Sequence, residues 1–322
     1  MNTAAETLVQ KIHHGLIPAV PVPFLSNGII HEEAQKQYVR YMAAQPVAGI
    51  AAWAHTGRGL HLTIPQREYI LKSWRAGISG KPLIAGVGGD LQATSQRQFL
   101  SSARIMAEHA ADLGADAFLV YPPSYFRNLH AAERDKAIIE YHTTLAEFGK
   151  PLLIFFLYEA AGGITYSDHV LNELLSLPHV AGIKIATLDS VMTFQNITEL
   201  VSQKYPDKLI ITGEDRFFGY TLMCGAQAAL VGMGSACCIL QSAMMQAYYE
   251  EDSAAFLRLS KEVDMFSFAT FREPVEGYIG RMLYVLAKQR IIPDEAAHDP
   301  WGPPLTEKEK EDIRRVLPLL YH

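Results

Sequence analysis

Val180-Ala181-Gly182-Ile183-Lys184-Ile185-Ala186-Thr187 sets one lysine inside a run that is otherwise apolar. A short apolar run with no polar face reads as a strand covered on both sides, as in a parallel sheet flanked by helices. An ammonium is costly to bury there unless its pKa falls or its charge is paired. A desolvated lysine is partly neutral near pH 7, and a neutral amine can attack a carbonyl carbon to form a Schiff base. Against this stands a plainer reading, in which Lys184 ends a strand and carries its charge to water on its own stem. The surrounding chain has to decide between the two.

On either side of this run the chain repeats one phrase: a short apolar run, a break rich in Gly, Pro, Asp or Ser, and a longer amphipathic stretch. The runs fall at residues 15–24, 47–54, 82–87, 116–121, 151–158, 180–184, 209–213 and 228–232. Helical spacing follows at 32–44, 65–76, 95–113, 131–148 and 167–176. Eight apolar runs separated by helices predict a closed (β/α)8 TIM barrel in preference to an open doubly wound sheet. From residue 256 the pattern is helical only, through 271–290 and 307–319. The expected organisation is an N-terminal extension at 1–14, the barrel at 15–250, and a C-terminal helical region at 251–322 packed on the barrel or on a neighbouring subunit.

Composition narrows the class. The 322 residues are 49% hydrophobic and 19% charged, an ordinary soluble balance. A formal net charge of -6 with scattered Lys and Arg gives no footprint for nucleic acid. Three cysteines, Cys224, Cys237 and Cys238, provide neither a disulfide framework nor zinc-ligand spacing, which fits a reducing compartment. Residues 1–14 lack the apolar core of a secretory signal, and no apolar run is long enough to span a bilayer. A cytoplasmic protein with no membrane partner is expected.

In such a barrel the reacting groups lie at the C-terminal ends of the strands and in the loops that follow. The candidates are His55 and Thr56 after the second run, Tyr121 and Tyr125 after the fourth, Phe155, Phe156 and Tyr158 at the fifth, Lys184 on the sixth, Glu214 and Asp215 after the seventh, and Gly232 to Ser235 after the eighth. The loop Ala54-His55-Thr56-Gly57-Arg58-Gly59 offers a hydroxyl, an imidazole and flexible amides, a candidate nest for a carboxylate. A strand-to-helix turn needs similar glycines for shape alone.

Gly15-Leu16-Ile17-Pro18-Ala19-Val20-Pro21-Val22-Pro23-Phe24 with Asn27-Gly28, then His55-Thr56-Gly57, Ile84-Ala85-Gly86-Val87-Gly88, Gly114-Ala115-Asp116-Ala117, and Gly182-Ile183-Lys184 with Ala186-Thr187 resemble the dihydrodipicolinate synthase/N-acetylneuraminate lyase family. The resemblance covers residues 15–290 in order. It implies a class I aldolase-type lyase in which Lys184 forms a Schiff base with the keto carbon of pyruvate or another 2-oxo acid, without a metal or cofactor. It also implies a homo-oligomer, dimer or tetramer. The family's carboxylate loop falls on residues 54–58, where Thr56 and Gly57 match, His55 replaces the first threonine and Arg58 replaces a glutamate. The keto acid is expected against Thr56, Gly57, Arg58, Gly232 and one of Phe155 or Phe156.

The departures bear on the substrate. The family's proton-relay tyrosine on strand five falls on Phe155 when counted from Pro151, or on Phe156 after a one-residue insertion, and neither ring can relay a proton. Its second tyrosine corresponds to Tyr125. His55, Tyr158 or both are therefore expected to supply the acid/base group. Glu159-Ala160-Ala161-Gly162 lacks the arginine of the synthase branch, which argues against the lysine-biosynthetic condensation, and Arg58 could supply a cation instead. The favoured reading is cleavage or dehydration of a 2-oxo acid, such as a 2-keto-3-deoxy sugar acid. Two alternatives remain open. Gly232-Met233-Gly234-Ser235 could hold a phosphate in an isomerase or epimerase with Glu214 or Asp215 as base, or the barrel could bind a 2-oxo acid without turnover.

Overall fold

The computed structural model describes residues 3–320. Eight parallel strands form the barrel: β1 (Leu16–Pro18), β2 (Ile50–Ala52), β3 (Leu83–Val87), β4 (Ala117–Val120), β5 (Leu152–Leu157), β6 (Val180–Ala186), β7 (Leu209–Thr212) and β8 (Ala228–Val231). Each pairs with its sequence neighbour, β1 pairs with β8, and a bridge between Ala19 and Ala51 joins β1 to β2 and closes the ring. The helices are α1 (Ala4–Ile12), α2 (Glu32–Ala43), α3 (Ile64–Gly77), α4 (Gln96–Asp112), α5 (Ala131–Ala146), α6 (Asp168–Leu175), α7 (Val191–Lys204), α8 (Phe218–Met223), α9 (Cys238–Tyr249), α10 (Ser253–Thr270), α11 (Tyr278–Lys288) and α12 (Glu307–Val316). This is a (β/α)8 TIM barrel with C-terminal helices. Among the described residues no helix is long and apolar enough to cross a membrane.

Local chemistry sets the limits of the elements. Hydroxyl side chains of Thr63, Ser95 and Ser167 accept backbone N–H groups at the starts of α3, α4 and α6. The first run keeps only three ladder residues, because Pro18, Pro21 and Pro23 have no N–H to donate. The helix expected over 271–290 begins only at Tyr278, after Pro274 and a 3-10 turn at Val275–Gly277. That shortening turns residues 271–277 into a loop over the barrel mouth.

One irregularity aims the key side chain. Pairing between β5 and β6 steps from Leu152–Val180 to Leu153–Gly182, so β6 carries an extra residue at Ala181. A one-residue bulge exchanges the two faces of a strand. Beyond it Lys184 pairs with Phe155, and both face the barrel interior, while Phe156 pairs with Ile185 and packs outward against Tyr166.

The N-terminal segment is part of the packed interior. Leu8 and Ile12 of α1 are buried together with Ile17, Leu153, Ala181 and Leu209, closing the end of the barrel opposite the strand C-termini. At the other end of the chain, α12 packs across α10 and α11. The fully buried Arg281 of α11 donates Nε to Glu309 Oε1 at 2.8 Å, Nη1 to the carbonyls of Thr270 and Arg272 at 3.0 and 2.7 Å, and Nη2 to that of Pro274 at 3.0 Å. One guanidinium thus holds the 270–274 backbone against α12. If α1 closes the barrel, replacing Ile12 with alanine should cost about 2–5 kcal/mol, read as a lower urea midpoint at unchanged slope.

Candidate active site

The site opens at the C-terminal ends of the strands as a small cavity, lined in part by His55, Thr56, Phe155, Tyr158, Lys184 and Gly232. Lys184 is only 6% exposed, and its Nζ lies 4.1 Å from the centre of the Phe155 ring. A ring face attracts the ammonium form, while burial favours the amine. Burial wins: the Lys184 pKa is pulled down to about 8, against the opposing pull of the Asp215 and Glu214 carboxylates. Room for the lysine stem comes from Gly213, where a Cβ would stand 2.6 Å from Lys184 Cε.

Glu214 and Asp215 follow β7 but have different duties. Glu214 accepts the backbone N–H of Thr187 and, at 2.8 Å, its hydroxyl through Oε1, and the Leu188 N–H at 2.9 Å through Oε2. Both oxygens are engaged, so the side chain ties β7 to the loop after β6. Asp215 Oδ1 accepts the Met233 N–H at 2.7 Å, and burial raises its carboxyl to about 7 against that bond and the Lys184 charge. The same bond tells against a phosphate on Gly232-Met233-Gly234-Ser235. The Met233 amide already serves a carboxylate, and the Ser235 N–H and hydroxyl turn back to the Gly232 carbonyl at 3.1 and 2.7 Å.

A group that sequence reasoning missed completes the wall. Tyr278, the first residue of α11, is buried in the cavity with its hydroxyl 2.9 Å from Thr56 Oγ1 and 3.2 Å from His55 Nδ1. His55 Nε2 lies 3.4 Å from Glu276 Oε1. Burial pushes the Tyr278 phenol well above its usual range and brings the His55 imidazole down to about 4, with Glu276 opposing the second shift. At neutral pH a protonated phenol therefore faces a neutral imidazole. The missed signal was a Tyr four residues after Pro274, hidden inside a stretch read as continuous helix.

The other candidates are placed as follows. Tyr158 reaches the cavity, its phenol raised by burial and then by Glu276, Glu273, Asp215 and Glu214. Tyr125 sits in a 3-10 turn, 37% exposed and stacked on Phe99, outside the cavity; at the end of β4 the buried tyrosine is Tyr121, whose hydroxyl donates to the Trp53 carbonyl at 2.7 Å. Phe156 faces away, as the register requires. The Gly57 and Arg58 amides are donated to the Ala54 and His55 carbonyls at 2.9 and 3.1 Å, so they turn the loop and do not form an open nest. Gly57 is needed for that turn, since a Cβ would come 2.8 Å from the Val20 carbonyl oxygen. Arg58 is not a spare cation: Nη2 donates to Asp299 Oδ2 at 2.7 Å, Nε to Asp299 Oδ1 at 3.2 Å and Nη1 to Glu276 Oε2 at 2.9 Å. At Gly232 a Cβ would lie 3.1 Å from Thr56 Oγ1 and 2.8 Å from Tyr278 Cε2, so its lack of a side chain keeps space open beside both hydroxyls.

The fold agrees with the comparisons to known proteins. Residues 13–318 match the dihydrodipicolinate synthetase family, and the chain belongs to it. The family's members are Schiff-base lyases of the class I aldolase type acting on pyruvate or other keto acids. A probable mitochondrial 4-hydroxy-2-oxoglutarate aldolase of Emericella nidulans is 27% identical over 227 residues, 67% of this chain and 69% of that protein. N-acetylneuraminate lyase 2 of Escherichia coli is 26% identical over 223 residues, 69% of this chain and 66% of that one. The crystal structure of dihydrodipicolinate synthase from Oceanobacillus iheyensis superposes with a TM-score of 0.80 at 18% identity, covering 98% of both chains, a likeness of fold. Because a Cβ at Gly213 would meet Lys184 Cε at 2.6 Å and the Ile185 carbonyl oxygen at 3.0 Å, Gly213→Ala should displace the amine and lower borohydride trapping of pyruvate at least about tenfold, with melting temperature as the folding control.

Proposed function

We propose that the chain is an aldolase-type lyase that cleaves a 4-hydroxy-2-oxo acid to pyruvate and an aldehyde through a Schiff base on Lys184. The observation that carries this reading is the buried Lys184 amine, pulled toward neutrality in a cavity that also contains the Thr56 and Tyr278 hydroxyls. Lys184 Nζ attacks C2 of the keto acid and water departs, leaving a protonated imine. The substrate carboxylate lies beside Thr56 in the space that Gly232 leaves open. Tyr278 then accepts the proton of the C4 hydroxyl while passing its own to His55 Nδ1, and Glu276 stabilises the resulting imidazolium through Nε2. The C3–C4 bond breaks, its electrons move into the imine, and the aldehyde leaves. The enamine takes that proton back at C3, from His55 through Tyr278, and water then adds at C2 to release pyruvate and the free amine.

In this scheme Tyr278 is the catalytic acid/base, replacing the hydroxyl absent from Phe155. His55 and Glu276 position and charge it. Tyr158 is the other phenol in the cavity and suits orientation of the leaving aldehyde. A complete relay favours turnover over a binding-only barrel. The reading also includes a small soluble keto acid as the partner, a cytoplasmic location, and assembly as a dimer or tetramer, for which exposed Leu257 and Phe268 offer apolar surface.

Borohydride reduction with pyruvate should add a three-carbon adduct to Lys184, and the initial trapping rate should climb as pH rises through about 8, because the lowered pKa exposes the neutral amine there. An adduct on another lysine, or none, overturns the assignment. Tyr278→Phe should keep the trapped adduct but lose about 10²–10⁴-fold in kcat for cleavage, the usual worth of a general acid/base. Undiminished cleavage would pass the role to Tyr158.

A further inference from the structure

The lysine cavity adjoins a second chamber of about 260 Å³, with which it shares His55, Leu157 and Ala161. The chamber lies past the Leu157 and Ala161 side of the lysine cavity, where the part of a bound substrate remote from the amine would extend. Much of its wall is apolar: Leu60, Leu91, Pro122, Leu157 and the Ala160–Gly162 stretch. Leu91 is 52% exposed, a large apolar side chain left uncovered where the chamber meets solvent.

The polar groups at the wall are mostly committed elsewhere. The Tyr121 hydroxyl donates to the Trp53 carbonyl. Arg58 is held by Asp299 behind it and by Glu276 beside it, so one guanidinium faces two carboxylates and the local balance is one negative charge. Burial lowers both His55 and His61, which keeps either from adding a positive charge at neutral pH. A carboxylate on the substrate's tail would meet this negative balance without a free cation. A polyol tail would lose water at several hydroxyls and find few partners, Ser124 and His61 among them, and each unpaired group is a penalty.

We infer that this second chamber receives the aldehyde half of the substrate and selects an uncharged, mainly apolar group there, such as an aryl or branched alkyl substituent on C4, over a sugar chain or a second carboxylate. The inference rests on the aldolase reading and names its substrate class. Acceptor choice would then follow the tail's fit to Leu60, Leu91 and Leu157, with room for one polar substituent near Ser124.

The test uses the full chain with pyruvate and three acceptors: benzaldehyde, glyceraldehyde and glyoxylate. Benzaldehyde should give a kcat/KM at least about tenfold above the other two, the discrimination expected when a site leaves polar tails unpaired. Leu91→Asp should reduce the benzaldehyde-to-glyceraldehyde ratio several-fold, a comparison that cancels the intrinsic reactivity of the aldehydes. A preference for glyceraldehyde or glyoxylate, or a ratio untouched by Leu91→Asp, overturns the inference. Pyruvate trapping on Lys184 separates the two failures: if trapping persists, only the acceptor assignment falls, whereas its loss in the unaltered protein removes the aldolase reading.

Discussion

The site depends on one extra residue in a strand. Ala181 shifts the register of β6 by one position, and everything beyond it changes face. Without that shift Lys184 would point toward the surrounding helices, where a buried ammonium has no partner and no substrate. With it, the amine enters the mouth of the barrel over Phe155, close enough to Asp215 and Glu214 to feel their charge. The balance between burial and those charges leaves a pKa of about 8, low enough for nucleophilic amine at neutral pH. Neither a fully solvated lysine nor one in a tight ion pair would meet that condition.

The C-terminal helices contribute to the wall of the same cavity. Arg281 organises the backbone at Thr270, Arg272 and Pro274, and α11 begins immediately after this loop with Tyr278. The loop also carries Glu276, which contacts both His55 and Arg58. A buried guanidinium with all these acceptors is expensive to disturb, since removing one partner leaves others unsatisfied. The loop and the start of α11 that it anchors bring Tyr278 within hydrogen-bond distance of His55 and Thr56, more than two hundred residues away.

Departures from the family pattern are compensated in space more than in sequence. Phe155 keeps the shape of an aromatic ring beside the lysine but lacks its hydroxyl; Tyr278 brings a hydroxyl to the cavity from another element. Arg58 replaces an acidic residue, yet Asp299 and Glu276 hold its charge, so the change reinforces the loop more than it offers an anion site. Together these changes leave the Lys184 amine buried beside an aromatic ring and place new polar groups around the cavity.

The amino-acid sequence by itself determined the barrel, because eight apolar runs separated by amphipathic stretches have few other ways to be buried on both faces. It also singled out Lys184, an ionisable group in a run with no other polar side chain before Thr187. Only the tertiary structure decided which way Lys184 points. An all-apolar strand has no alternation to mark its faces, so the bulge at Ala181 leaves no trace in the pattern. The choice between Phe155 and Phe156 was hidden for the same reason. Tyr278, Glu276 and Asp299 stayed invisible as site residues because their roles come from contacts with a loop near residue 55, and local periodicity carries no information about such distant contacts.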